Sequence, residues 1–247
     1  MTETRSAIVT GGASGIGRAC VEGLALAGWA VTVADLNPEG ENLAESIRAQ
    51  GGQVQFVATN VSNSADVQAM VERATSRFGQ LHAAINCAGI VGSSKPIHEI
   101  EPDAFDRVIA INLRGMFLCI KHQAAAMLPY KEGSIVAVSS AAALKGLPWS
   151  SDYCASKAGI DGLVRGAAMD YAEDNIRVNA VLPGATVTPL AMSSTNANPA
   201  LGKTRTRPMG RMADPAEIAA AAIFLASPGA SFVTGISMPV DGGMVIA

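Results

Sequence analysis

Short apolar, β-branched runs alternate with alanine-rich helical segments along nearly the whole chain. Ala7-Ile8-Val9-Thr10 leads through a glycine turn into a helix that ends near Gly28. Ala30-Val31-Thr32-Val33-Ala34-Asp35 precedes a second helix, which stops near Gly51-Gly52, and Val54-Gln55-Phe56-Val57 precedes a third over 65–78. The later strands are expected at 81–86, 134–139, 176–182 and Gly235-Ile236-Ser237-Met238, with helices over 103–127, 153–172 and 215–226 between them. Strands that are apolar throughout, rather than alternating, are buried on both faces, which is the condition of a parallel sheet covered by helices on each side. Right-handed crossovers then make it a Rossmann-type, doubly wound α/β sheet of about seven strands. No linker, charge block or repeat divides the chain, so a single domain over 1–247 is predicted.

One segment breaks the rhythm. Residues 186–211 are rich in Ser, Asn, Pro, Met and Thr and too long for an ordinary connection. Such loops in compact domains are lids or binding loops, and a lid is expected here; a disordered insertion is the alternative. Composition changes little: 49% hydrophobic and 16% charged residues supply a large core, and a net charge of −3 gives no reason to expect nucleic acid or an acidic membrane as partner. No stretch approaches the roughly 20 apolar residues that span a bilayer, and no signal peptide opens the chain, so a cytoplasmic protein is expected. Cys20, Cys87, Cys119 and Cys154 are widely spaced and read as free thiols. His82, His98 and His122 show neither metal-ligand spacing nor a nucleophilic partner, and no metal is expected.

The first candidate chemistry is the turn Thr10-Gly11-Gly12-Ala13-Ser14-Gly15-Ile16-Gly17, with glycines spaced G-x-x-x-G-x-G directly after the first strand. Glycine there lets the backbone approach a pyrophosphate, whose charge the following helix N-terminus favours. Asp35 ends the second strand about 20 residues further on, where a carboxylate can accept the adenosine ribose hydroxyls and would repel a 2′-phosphate. Leu36 rather than a cation follows it, so NAD is favoured over NADP.

Tyr153 and Lys157 stand four residues apart, on one face of a helix. An ammonium near a phenol lowers the phenol's pKa towards working pH, which would make Tyr153 a general acid or base. Ser139-Ser140 ends the fifth strand at the edge where doubly wound sheets hold ligands, and Asn112 lies inside a long helix, where a polar residue needs a reason.

With these residues in place the chain resembles the short-chain dehydrogenase/reductase family over essentially its whole length. The resemblance is carried by 10–17, Asp35, Asn86-Cys87-Ala88-Gly89, Asn112, Ser140 thirteen residues before Tyr153, Lys157, Pro183-Gly184 and the closing Val240-Asp241-Gly242-Gly243. It implies that Tyr153 transfers the proton, that Ser140 polarises the substrate oxygen, and that Lys157 tunes the tyrosine and binds the nicotinamide ribose. Asn112 would hold a water in a proton relay. Asn60, Val61, Asn86, Ala88 and Gly89 would line the adenine side and brace the sheet, and Pro183, Gly184, Val187 and Thr188 would face the nicotinamide. Two departures stand out: Cys87 replaces a usual asparagine and Asn60 a usual acidic residue.

By position, Ala142, Leu147, Trp149, Ala185, Leu190 and Met192 join Ser140 and Tyr153 around a mainly apolar substrate pocket. The leading expectation is NAD-dependent interconversion of a secondary alcohol and a ketone. A 3-oxoacyl-thioester reductase is the near rival, mildly favoured by the cations Lys203, Arg205 and Arg207, which could also simply be solvated. A non-catalytic nucleotide-binding module is the distant one. The resemblance further implies a homotetramer that pairs the helices over 103–127 and 153–172.

Overall fold

The computed structural model describes residues 4–198, 200–201 and 208–247; the Lys203, Arg205 and Arg207 cluster lies outside them. Seven strands form one sheet: β1 (Ser6–Thr10), β2 (Ala30–Asp35), β3 (Val54–Ala58), β4 (Ala83–Asn86), β5 (Gly133–Val138), β6 (Ile176–Pro183) and β7 (Ser237–Val240). Every pairing is parallel and the order is β3-β2-β1-β4-β5-β6-β7. Consecutive residues of β1 face opposite sides. Ile8 belongs to an apolar layer with Met70, Met127 and Ile160, whereas Ala7 and Val9 belong to a second layer with Val21, Leu24 and Ile218. Helices α1 (Gly15–Leu26), α2 (Glu39–Ala49) and α8 (Pro215–Ala226) therefore cover one face, and α3 (Ser64–Phe78), α5 (Gly115–Met127) and α6 (Ser151–Tyr171) the other. Continuous burial of β1 and β5 explains why their sequences show no alternation.

Three elements differ from expectation. The long helix over 103–127 is divided into α4 (Pro102–Val108), a π-helical stretch Ile109–Arg114, and α5. Asn112 sits in that stretch, and π-turns recur at functional positions. Segment 186–211 is not all loop, because it carries a helix, α7 (Pro189–Ala197). Thr188 caps it by accepting from the Ala191 N–H at 3.1 Å, and Pro189 occupies its first turn. The last strand begins two residues later than predicted, since Gly235 turns the chain at φ +76°. No helix among the described residues is long and apolar enough to cross a membrane.

Candidate active site

In a parallel sheet of this order the direction of winding reverses between β1 and β4, which leaves a crevice at their carboxyl ends, where Thr10 pairs with Asn86. A cleft of about 830 Å³ opens there. One end is lined by Gly11, Ser14, Gly15, Ile16 and Gly17 with Asp35, Leu36, Asn60, Val61, Ala88 and Gly89. Its other end is lined by Ser140, Ala142, Leu147, Tyr153 and Lys157, and by Pro183, Gly184, Ala185, Thr188 and Leu190.

The glycine turn is built to bring backbone against a ligand. Gly11 adopts φ +65°, and a Cβ there would lie 2.8 Å from the Ala88 nitrogen. At Gly17 a Cβ would overlap the Gly11 carbonyl oxygen, so helix and turn pack as closely as glycine permits. Ser14, at the N-cap of α1, makes no side-chain cap bond, so among the described residues the first-turn amides have no side-chain acceptor, and the positive end of the helix faces the cleft. A pyrophosphate fits that cradle. Across the cleft the Thr188 methyl carbon stands 3.2 Å from where a Gly15 Cβ would be, so the segment before α7 closes over the turn.

Asp35 is fixed by two backbone donors: Oδ2 accepts the Ala13 N–H at 3.0 Å and Oδ1 the Asn37 N–H at 2.9 Å. Each oxygen keeps a lone pair for a ribose hydroxyl. Asn60 uses its Oδ1 within its own turn, accepting from the Ser62 N–H at 3.1 Å and the Ser62 hydroxyl at 2.7 Å. The residues present thus fit a dinucleotide.

At the other end Tyr153 and Lys157 project from α6, and Ser140 stands just beyond β5, where its Oγ accepts from the Ala142 N–H at 3.1 Å. Lys157 is buried, donates to the Val138 carbonyl at 3.0 Å, and holds its Nζ 5.6 Å from the centre of the Tyr153 ring. Desolvation lowers the Lys157 pKa to about 8, although Cys87 and Asp161 pull it upward. For Tyr153 the expectation of a lowered pKa is reversed. Burial raises it, a hydrogen bond to Ser140 pulls it down, and Cys154 pushes it up. Lys157 directs one of its three N–H donors to the Val138 carbonyl, and desolvation, which disfavours the phenolate, outweighs the pull of Ser140 on Tyr153.

Five predicted site residues do not line the cleft. Asn86 is buried and paired reciprocally with Gln123 of α5 through bonds of 2.8 and 2.9 Å, so it braces β4 rather than facing the adenine side. Asn112, 1% exposed, spends its side chain on the loop after β4. Its Oδ1 accepts the Ile90 N–H at 2.8 Å, and its Nδ2 donates to the Ile90 carbonyl at 3.0 Å and to Ser156 Oγ at 3.2 Å. Val187, Trp149 and Met192 are exposed. The Val187 N–H donates to the Ala213 carbonyl, and Trp149 adopts φ +55° in the turn before α6.

Sequence reasoning missed Ile90, Val91, Gly92, Ile111 and Met244, which do line the cleft. Ile90, Val91 and Gly92 directly follow the Asn86–Gly89 motif at the carboxyl edge of β4, which was the available signal. Met244 follows Asp241, whose carboxylate accepts the Gly243 and Val245 N–H groups at 2.9 and 2.8 Å and whose backbone packs on Gly184. Two motifs almost 60 residues apart in sequence are thus one corner of the site.

Fold and cleft define a doubly wound α/β protein with a dinucleotide cradle at its switch point and a Ser-Tyr-Lys group beside it. A family model described as "Enoyl-(Acyl carrier protein) reductase" matches residues 11–245. The chain is 42% identical over 239 residues to the cis-4-hydroxycyclohexanecarboxylate dehydrogenase of Sinomonas cyclohexanicum, covering 97% of this chain and 96% of that one. It is 40% identical over 242 residues to a 2,5-dichloro-2,5-cyclohexadiene-1,4-diol dehydrogenase of Sphingobium indicum, with 97% and 96% coverage. Among solved structures, a levodione reductase superposes with a TM-score of 0.93 at 34% identity, covering 98% of each chain. The chain belongs to the short-chain dehydrogenase/reductase family, oxidoreductases of secondary alcohols and ketones that draw on a nicotinamide dinucleotide.

Proposed function

We propose that the protein is an NAD(H)-dependent dehydrogenase that interconverts a ring-borne secondary alcohol and its ketone, with Tyr153 as the acid–base residue. The observation that carries this reading is the packing of Ser140, Tyr153 and Lys157 at one end of the cleft whose other end is the glycine cradle. A nicotinamide nucleotide held by the glycine cradle and Asp35 would supply or accept the hydride. Everything else falls to the chain. Ser140 donates to the substrate oxygen and polarises it, while Tyr153 gives its proton to that oxygen in reduction or takes it in oxidation. Lys157, charged below about pH 8, stabilises the phenolate that forms and holds the nicotinamide ribose. Asn112 keeps the wall beside Tyr153 in place, with its helix backbone as the station for a relay water.

Asp35 supports NAD, because its carboxylate faces the cleft and Leu36 brings no cation for a 2′-phosphate. The substrate end is lined by Ala142, Leu147, Ala185 and Leu190, which suits a hydrocarbon ring. Both curated relatives described above carry a six-membered carbocycle in their names. A homotetramer through α5 and α6 belongs to the same proposal, supported by a groove between these helices that exposes Phe117 beside Leu163 and Tyr171. So does a lid role for 186–211, supported by Thr188 and Leu190 in the cleft wall, and a cytoplasmic location, which four unbonded cysteines favour.

The test is a screen of cyclic and acyclic secondary alcohols and their ketones with NAD(H) and NADP(H), followed at the nicotinamide absorbance. Cyclic alcohols should give the highest kcat/KM with NAD. A preference for NADPH and acyl thioesters would move the protein to the rival reductase reading.

A further inference from the structure

One buried carboxylate beside the catalytic tyrosine has no part in the chemistry above. Asp152 precedes Tyr153 in the first turn of α6, is 0% exposed, and forms no ion pair among the described residues. A buried carboxylate is costly unless donors satisfy it. Here three do: Oδ2 accepts the Ser93 N–H at 2.7 Å and the Ser93 hydroxyl at 2.6 Å, and Oδ1 accepts the Tyr153 N–H at 2.8 Å. The carboxylate therefore ties the loop after β4 to the amide of the residue that transfers the proton.

That loop is held at a second point. Asn112 binds both the N–H and the carbonyl of Ile90, in the manner of a neighbouring strand. Between the two anchors lie Val91 and Gly92, and both line the cleft. Gly92 passes so close that a Cβ on it would overlap Asp152 Oδ1 and come 3.1 Å from the Tyr153 Cβ. A two-residue span pinned at both ends and pressed against Tyr153 has little freedom to adapt to a ligand.

We propose that Asp152 and Ser93 form a positioning clamp that sets the Val91–Gly92 wall at a fixed distance from the Tyr153 hydroxyl, and so selects which alcohols reach it in reactive geometry. The proposal rests on the secondary-alcohol reading of the same site. Its physical basis is apolar fit, since one methylene more or less against a fixed wall is worth roughly 10–200-fold in discrimination. Neither Asp152 nor Ser93 touches the reacting atoms in this scheme; both act through the wall.

Full-length Ser93→Ala and Asp152→Asn proteins test it with two readouts. One is amide hydrogen exchange of the 90–96 segment. The other is steady-state kinetics with NAD on cyclopentanol, cyclohexanol and cycloheptanol. Ser93→Ala deletes one bond of the clamp, so exchange should quicken and KM should rise on the order of five- to tenfold. Its kcat should stay within about twofold and its nucleotide affinity should match the wild type, as the loss of a single positioning bond implies. Asp152→Asn places an amide donor against an N–H, so its KM should rise further and the preference among ring sizes should flatten. Unchanged KM and ranking alongside faster exchange would overturn the proposal, because the loop would then not be the substrate wall. So would a parallel fall in kcat, nucleotide affinity and thermal stability, which would mark general loosening. If the wild type oxidises none of these alcohols with either nucleotide, the reaction reading fails, and exchange alone decides the clamp: unaltered protection in both variants refutes it.

Discussion

Tyr153 and Lys157 are four residues apart on a helix, yet their chemistry is set by what surrounds them. Burial raises the tyrosine and lowers the lysine to about 8, so in the folded protein both lean toward their neutral forms. In the proposed mechanism ketone reduction needs a protonated Tyr153 and a charged Lys157. Below about pH 8 both conditions hold; above it the lysine loses its proton while the phenol keeps its own. The kcat/KM for reduction should therefore fall as pH rises through about 8, and a profile level to well above that value would show that the lysine charge is dispensable. Tyr153→Phe keeps the ring and removes the proton, so turnover should drop by roughly 10²–10⁴-fold while nucleotide affinity, measured by fluorescence titration, is retained. Asp35→Ala removes the charge that, in the proposed NAD site, would oppose a 2′-phosphate. The ratio of kcat/KM with NADP to that with NAD should then rise by about tenfold, the equivalent of roughly 1.4 kcal/mol. An unchanged ratio would remove Asp35 from cofactor choice.

At the scale of elements, the site is carried by strand ends and by bonds between elements remote in sequence. Asn86 on β4 and Gln123 on α5 satisfy each other in a fully buried pair. Gln123→Leu would leave the buried Asn86 Nδ2 without its acceptor, at a cost of about 1–3 kcal/mol. A lower Tm with unaltered nucleotide affinity is expected, because Asn86 does not line the cleft. Loss of nucleotide binding at unchanged Tm would restore Asn86 to the cofactor site. The π-helical stretch follows the same logic. Asn112 stands in mid-helix because its side chain takes both polar groups of Ile90, leaving neither unpaired in the interior.

For the whole molecule, the two apolar layers on either face of the sheet account for the core, while α5 and α6 keep an apolar groove at the surface. Phe117 is the exposed aromatic at its rim. Light scattering should give four times the chain mass, and Phe117→Glu should shift that mass downward by placing a charge in the helix pairing. A wild-type monomer would end the tetramer proposal.

The alternation of apolar runs and helices determined the sheet, its parallel sense and its double winding, since burial on both faces leaves a pattern visible residue by residue. Glycine spacing, Asp35 and the Tyr153–Lys157 interval stood out along the chain as well, and the structure brings all of them to one cleft. What the tertiary structure decided was which side chains meet across it. Asn86 turned to Gln123, Asn112 to Ile90 and Asp152 to Ser93, pairings separated by 37, 22 and 59 positions. The direction of the Tyr153 shift was decided there as well, because desolvation depends on packing rather than on order along the chain. Trp149 and Met192 had the right positions and types for a substrate wall, and Val187 for the nicotinamide side, but the turn before α6 and the α7 segment leave all three exposed. Val91 and Gly92 line the cleft as well, and Gly92 lies against a carboxylate 60 residues further along the chain.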